Sequence, residues 1–242
     1  MTPGDIVRAQ IDHRETDRVP YTIAFEGDVA EQLDGYYRSR SWREEIVVYI
    51  DQCSAVSTMK KAPTDRPGYE VDPYGSIWRT DRRPFHLEQP ALPEPTFSGY
   101  RWPEPEEFFV DADRLDEMRR RVSEQRKERY ILANLGWGLF ETSWGVRGFE
   151  GALADSVGEE EFYDELIERI TEQFLRYVEF TLDELPEVDG VMFGDDWGYQ
   201  HGVLVGPERW RRFFKERYRR IYAAVHERGK TVVSHCCGSI VD

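Results

Sequence analysis

With 242 residues, 40% hydrophobic and 14% aromatic, the chain can bury one substantial core and carries no low-complexity filler. A formal charge of −15 excludes a nucleic-acid backbone and an anionic membrane surface as partners, since both require a basic face. Met1-Thr2-Pro3-Gly4-Asp5 lacks the regions of a signal peptide, and no apolar run approaches the roughly 20 residues of a membrane helix.

Thr2 with Pro3 behind it reads as the cap and first turn of a helix through about Ile11. Val19–Phe25 follows as a first strand. Ser41-Trp42-Arg43-Glu44 reads as a capping box, with Ile46, Val47 and Ile50 giving the next helix its apolar side. Cys53–Thr58 is then a short second strand. Residues 60–110 break the alternation. They hold most of the prolines, and an Asp72-Pro73-Tyr74-Gly75 turn precedes Ser76-Ile77-Trp78-Arg79, so they read as an inserted hairpin and extended loop. Tyr69, Tyr74, Trp78 and Phe85 suit packing onto a body better than a solvated tether.

From Asp111 a charged helix runs to about Arg129, and Tyr130–Leu135 is a buried strand. Glu159–Leu185 spaces Phe162, Leu166, Ile170, Phe174 and Tyr177 by three and four, a long helix with one buried stripe. Gly190–Gly194 is the next strand, ending in Asp195-Asp196. Gly206-Pro207 opens a helix with Trp210, Phe213, Phe214, Tyr218, Ile221 and Val225 inward, and Gly229 closes it. Thr231–Ser239 is the fifth strand. Five strand–helix units in a single domain over residues 1–242 fit an open doubly wound sheet or part of a (β/α)8 barrel, but are too few to complete the barrel.

The last strand carries the most chemistry. Alternation along a strand puts His235 and Cys237 on one face and Cys236 on the other. An imidazole and a thiolate side by side are two parts of a zinc site. Three cysteines, two of them adjacent, make no disulfide framework and point to a reduced, cytoplasmic setting. Asp195 and Asp196, at the end of the preceding strand, either cap the next segment or orient a ligand and the surroundings of His235. Trp137, Trp144 and Trp197 fall in loops after strands, and Arg147 is the one arginine near such a loop. Glu141 and His201 are acid–base candidates that spacing does not single out.

Taken together these segments resemble the uroporphyrinogen decarboxylase-like superfamily. The likeness rests on Asp17-Arg18-Val19-Pro20, on the Asp72-to-Trp78 hairpin, and on Tyr100-Arg101-Trp102-Pro103. Above all it rests on the run from Gly194-Asp-Asp-Trp-Gly198 through Gly206-Pro207-Glu208-Arg209-Trp210, Phe213-Phe214 and His226-x-x-Gly229-Lys230 to His235-Cys-Cys-Gly238. The resemblance implies a (β/α)8 TIM-barrel type of fold, here incomplete. In the zinc-dependent methyltransferase branch it implies His235 and Cys237 as Zn2+ ligands, a third protein ligand missing from this chain beyond Asp242, and a methyl donor that can be a corrinoid on a partner protein. Asp195 and Asp196 then stand as catalytic candidates, and Trp137, Arg147 and Trp197 as the pocket for a small-molecule substrate.

The superfamily's other chemistry, decarboxylation of uroporphyrinogen, needs arginines for a polycarboxylate. True decarboxylases carry an Arg-Gln-x-Gly-Arg segment after the first strand. The equivalent stretch here, Phe25 to Glu31, is acidic and would repel such a ligand. The expectation is therefore a methyltransferase in which zinc activates a thiol acceptor. The alternatives are a porphyrin-pathway decarboxylase and a catalytically incomplete fragment.

Overall fold

The computed structural model describes residues 1–240 apart from positions 24, 26 and 59. Helix α1 (Pro3–Ile11) starts as expected: Thr2 Oγ1 accepts from the Asp5 amide, and the Asp5 carboxylate accepts from the Thr2 amide.

Four parallel strands form the main sheet: β1 (Ile50–Cys53), then β6 (Tyr130–Trp137), β7 (Gly190–Gly194) and β10 (Thr231–His235), adjacent in that order. Each new strand joins on the same side as the last. A doubly wound sheet reverses direction at a switch point, so the order selects the barrel-type alternative. Among the described residues the sheet stays open, with β1 and β10 at its edges.

Strand alternation sorts β6 between two faces. Ile131, Ala133 and Leu135 join the large core under helices α3 (Ala112–Gln125), α4 (Leu139–Arg147), α5 (Phe149–Gly158), α6 (Glu160–Glu184) and α8 (Glu216–His226). Tyr130 and Leu132 face the other way, against Ile6 and Val7 of α1 and Tyr49. Helix α6 buries Tyr163, Leu166, Ile167, Ile170, Phe174, Tyr177 and Val178 at 2% exposure or less. Each such side chain contributes roughly 1.5–3 kcal/mol of transfer free energy. Before α8, a short helix α7 (Pro207–Trp210) passes into a π-helical turn over Arg211–Lys215 that buries Phe213 and Phe214.

The insertion is a separate antiparallel sheet, β2 (Ala62–Pro63), β3 (Tyr69–Val71), β4 (Ile77–Arg79) and β5 (His86–Gln89). It is fixed to the body as its aromatic content suggested. Tyr74 Oη donates to Gln173 Oε1 at 2.8 Å, and Ser76 Oγ donates to the Gly145 carbonyl at 2.8 Å. A two-stranded ribbon, β8 (Gly198–Tyr199) and β9 (Gly202–Val203), follows β7.

Three expectations for the N-terminal third are corrected. The described residues of Val19–Phe25 form no strand, residue 24 lying outside the description. Val19, Tyr21, Ile23 and Phe25 stay exposed; Tyr21 makes an edge-to-face contact with Tyr49 and accepts a hydrogen bond from the Val47 amide. Strand propensity describes fit to a half-buried pleated surface, and no neighbouring strand supplies one here. Among the described residues the parallel strands therefore number four, not five. Next, Ser41–Glu45 is a single 3-10 turn, and the apolar residues after it lead into β1, which ends where the second strand was expected to begin. Finally, Gly27–Tyr37 is a helix, α2, that buries no residue, so the acidic stretch after Phe25 is not a mouth loop.

Candidate metal centre

The functional side chains gather at the C-terminal ends of β7 and β10, where Gly194 pairs with His235. The two strands are tied further by the Asp195 amide, which donates to the His235 carbonyl at 2.9 Å. Beyond His235 the chain leaves the strand, and Gly238 turns it back with a φ of +82°. A β-carbon at Gly238 would lie 2.6 Å from the Tyr199 nitrogen, so the approach of this turn to the β8–β9 ribbon requires glycine.

That turn brings Cys237 back beside His235, its Sγ 3.3 Å from His235 Nε2. Asp196 completes the group: its Oδ1 lies 3.6 Å from His235 Nε2 and accepts from the Cys237 amide at 2.8 Å. One donor atom from each of Asp196, His235 and Cys237 lies within 4.8 Å of the other two. His235 and Cys237 are exposed and Asp196 half-buried, so the cluster faces open space on the uncovered side of the sheet. The Asp196 carboxylate, through its hydrogen bond and its charge, holds the Cys237 thiol above its usual range. Cys236 turns the other way and packs against the large core.

Asp195 does different work from its neighbour. It is fully buried and receives the Phe140 amide at 3.0 Å, the Glu141 amide at 2.7 Å and the Tyr218 hydroxyl, itself an acceptor for the Leu139 amide. The two amides are free donors of the first turn of α4, where a carboxylate is favoured by the helix dipole. Burial nevertheless pushes the Asp195 acid up to about 6, against the lowering effect of those three donors. Gly138 permits the junction: a β-carbon there would meet Asp195 Cβ at 2.7 Å and Tyr218 Oη at 2.8 Å. Asp195 is a positioning residue for α4, and its carboxylate makes no hydrogen bond to His235 or Cys237.

The same junction delivers a group that sequence spacing left undistinguished. Glu141, in the first turn of α4, is pushed up to about 8, by burial first and then by the Asp195 and Asp196 charges. The one sequence signal available is its place just after a strand end. His201 sits in the β8–β9 turn, exposed, against Tyr199.

The expected pocket residues are scattered. Arg147 is committed to Asp155 at 2.6 Å and to the Leu92 and Pro93 carbonyls, joining α4 and α5 to the insertion. Trp197 is buried against Trp210 and Tyr218. Trp137 packs on Trp78 and Trp144, 5.6 and 4.9 Å away between ring centres. Neither Arg147 nor Trp197 is within the group around His235. A cavity of about 700 Å³ lies at the carboxyl ends of β1 and β6, toward the opposite edge of the sheet from β10, beside Ser54, Thr58 and Asn134.

A barrel-type sheet with candidate ligands at strand ends defines an enzyme class that works at the carboxyl ends of its strands. The sequence profile of the uroporphyrinogen decarboxylase (URO-D) family matches residues 116–242, more than half of the chain. The chain belongs to that family. No curated protein matches it. Among solved structures it is similar to a methyltransferase from Methanosarcina mazei, with a TM-score of 0.62 and 14% identity over 99% of this chain and 71% of that one. At that identity the likeness concerns the fold. No helix among the described residues is long and apolar enough to cross a membrane.

Proposed function

We propose that the protein is a methyltransferase-type enzyme in which His235, Cys237 and Asp196 hold Zn2+, and in which a thiol substrate is the methyl acceptor. The carrying observation is the three-donor cluster at the ends of β7 and β10. Its dimensions suit the ion: zinc–nitrogen and zinc–sulfur bonds of about 2.0 and 2.3 Å in a tetrahedron separate the two donors by about 3.5 Å. The observed separation is 3.3 Å. Asp196, expected as a cap or as a catalytic and orienting group, would supply the third donor for which the sequence offered no cysteine. Three protein ligands leave a fourth position for substrate, the pattern of catalytic zinc.

Bound zinc supplies charge that keeps a coordinated thiol deprotonated at neutral pH. The chain's own residues do the rest. The Asp195–α4 junction fixes Glu141 beside the cluster, and the Cys237 amide holds Asp196 in place. In the transfer the acceptor's S–H proton would pass to solvent water, the new S–C bond form, and the donor–methyl bond break with its electron pair remaining on the donor. The exposed face of the cluster suits a donor carried on another macromolecule, and a corrinoid protein is the donor proposed.

The decarboxylase reading receives less support, because it needs several free arginines, and Arg147, the one arginine expected near a mouth loop, is committed to Asp155 and two carbonyls. Elemental analysis of purified protein tests the proposal. One equivalent of zinc per chain, lost in Cys237→Ser, is expected; full retention of zinc in that variant refutes the assignment.

A further inference from the structure

Two glycines meet where the β8–β9 ribbon crosses the turn that holds Cys237. A β-carbon at Gly198 would lie 2.4 Å from the Cys237 carbonyl oxygen and 2.8 Å from Ile240 Cγ2. One at Gly238 would lie 2.6 Å from the Tyr199 nitrogen and 2.7 Å from the Gly198 carbonyl carbon. The two backbones can touch only because neither position has a side chain. The Ser239 amide ties the crossing by donating to the Tyr199 carbonyl at 2.8 Å. Gly238 also needs glycine for its positive φ; Gly198 has no positive φ, so its need is steric alone. The two sides are held unequally. Trp197, between Asp196 and Gly198, is buried against Trp210 and Tyr218, and its carbonyl accepts from the Leu204 amide at 2.8 Å. Cys237 and Gly238 are exposed. Bulk added at Gly198 therefore moves the turn, not the ribbon.

We infer that Gly198 is a positioning residue for the metal centre: its bare backbone, set against the Cys237 carbonyl, fixes where the Cys237 thiol stands relative to His235 and Asp196. This rests on the metal reading above and on nothing about the methyl donor or acceptor. Relieving a 2.4 Å contact takes a shift of about 1 Å toward ordinary packing distance. Metal–ligand distances tolerate about 0.2 Å. The same shift pulls on a second donor, because the Cys237 amide is the group that holds Asp196 Oδ1 at 2.8 Å. A single methyl group on the ribbon, touching no ligand atom, thus disturbs two of the three donors.

The test uses Co2+ in place of zinc, because its thiolate-to-metal absorption reports the sulfur–metal bond separately from metal uptake. Wild type, Gly198→Ala and Gly194→Ala are titrated with Co2+. Gly194→Ala is the control: its β-carbon would sit beside the His235 ring but make only ordinary contacts, 3.7 Å or longer. Gly198→Ala is expected to bind Co2+ about tenfold to a hundredfold more weakly and to lose the sulfur band, with Gly194→Ala within about twofold of wild type. Adding Ile240→Ala to Gly198→Ala should not restore binding, since the contact with the Cys237 carbonyl remains; restoration would assign the effect to Ile240 and overturn the inference. Wild-type affinity and absorption in Gly198→Ala, or equal weakening in Gly194→Ala, overturn it as well and leave the cluster standing. A lower urea midpoint of metal-free Gly198→Ala with the sulfur band intact would show a merely structural role, again against the inference. If Gly198→Ala fails to fold, Gly238→Ala, which crowds the same crossing from the turn side, is judged by the same criteria. A wild-type protein that takes up no Co2+ overturns the metal centre itself, and this inference with it.

Discussion

Replacing Asp195 by asparagine separates the two roles that adjacent aspartates have taken. The side chains are nearly isosteric, so the change is electronic and directional. One carboxylate oxygen accepts from the Glu141 amide and the other from both the Phe140 amide and the Tyr218 hydroxyl, all fully enclosed. An asparagine retains one accepting oxygen and turns an N–H2 toward a donor. At least one buried amide of α4 then loses its partner, and the Tyr218 contact must reorganise. At about 1–3 kcal/mol for each group left unsatisfied, the loss is about 2–4 kcal/mol. For a chain of this length that corresponds to a fall in Tm of about 4–16 °C. Urea unfolding followed by circular dichroism measures it, with an unchanged m value showing that the folded and unfolded ensembles keep their extents. Zinc stoichiometry should be unaffected, because the Asp195 carboxylate bonds to none of the cluster donors. A variant as stable as wild type but unable to hold zinc would refute this division of labour.

Cys237→Ser should abolish zinc uptake while Cys236→Ser retains it; equal loss in both would place the two thiols wrongly about β10. Arg147→Ala strands a buried Asp155 carboxylate, and a destabilisation of about 3–5 kcal/mol with normal zinc content is expected from chemical unfolding. Glu141→Gln makes a pH-dependent prediction for chelator-treated protein. Folding raises the Glu141 acid from its ordinary value of 4.5 to about 8, so the folded state favours the protonated form, and the wild type loses stability as pH climbs between those values. After discounting for partial exposure, the Glu141→Gln variant should gain about 1–3 kcal/mol on wild type between pH 5 and pH 9 in urea midpoints. A constant difference across that range would count against the shift.

Where the sequence pattern and the tertiary environment agree, the fold was legible. Thr2-Pro3, the stripe of α6, the inward Phe213, Phe214 and Tyr218 of the π-helical turn and α8, and the buried β6 and β7 all appear close to where periodicity put them. It failed between Val19 and Ile50, where apolar residues are present but the partners that would define a strand are not. That is a long-range property invisible to a local window. The site divides in the same way. His235 and Cys237 meet two residues apart, a matter of local geometry. Asp196 and Glu141 reach the cluster through β7–β10 register and the α4 junction, contacts spanning about 40 and 90 residues that no spacing rule encodes. Arg147 and Trp197 lie apart from the cluster, since a position after a strand says nothing about which neighbours a side chain will find.

β10 has one strand neighbour and turns Ser234 and His235 to solvent, so of the four parallel strands it is the one least held by the core. Its chemistry-bearing tip meets a donor from the end of β7. An ion shared by Asp196, His235 and Cys237, as proposed, would thus also be a cross-strand rivet, turning binding energy into local order at the rim of the sheet. Removing such an ion would let this margin fray while α6 and its companions remain folded.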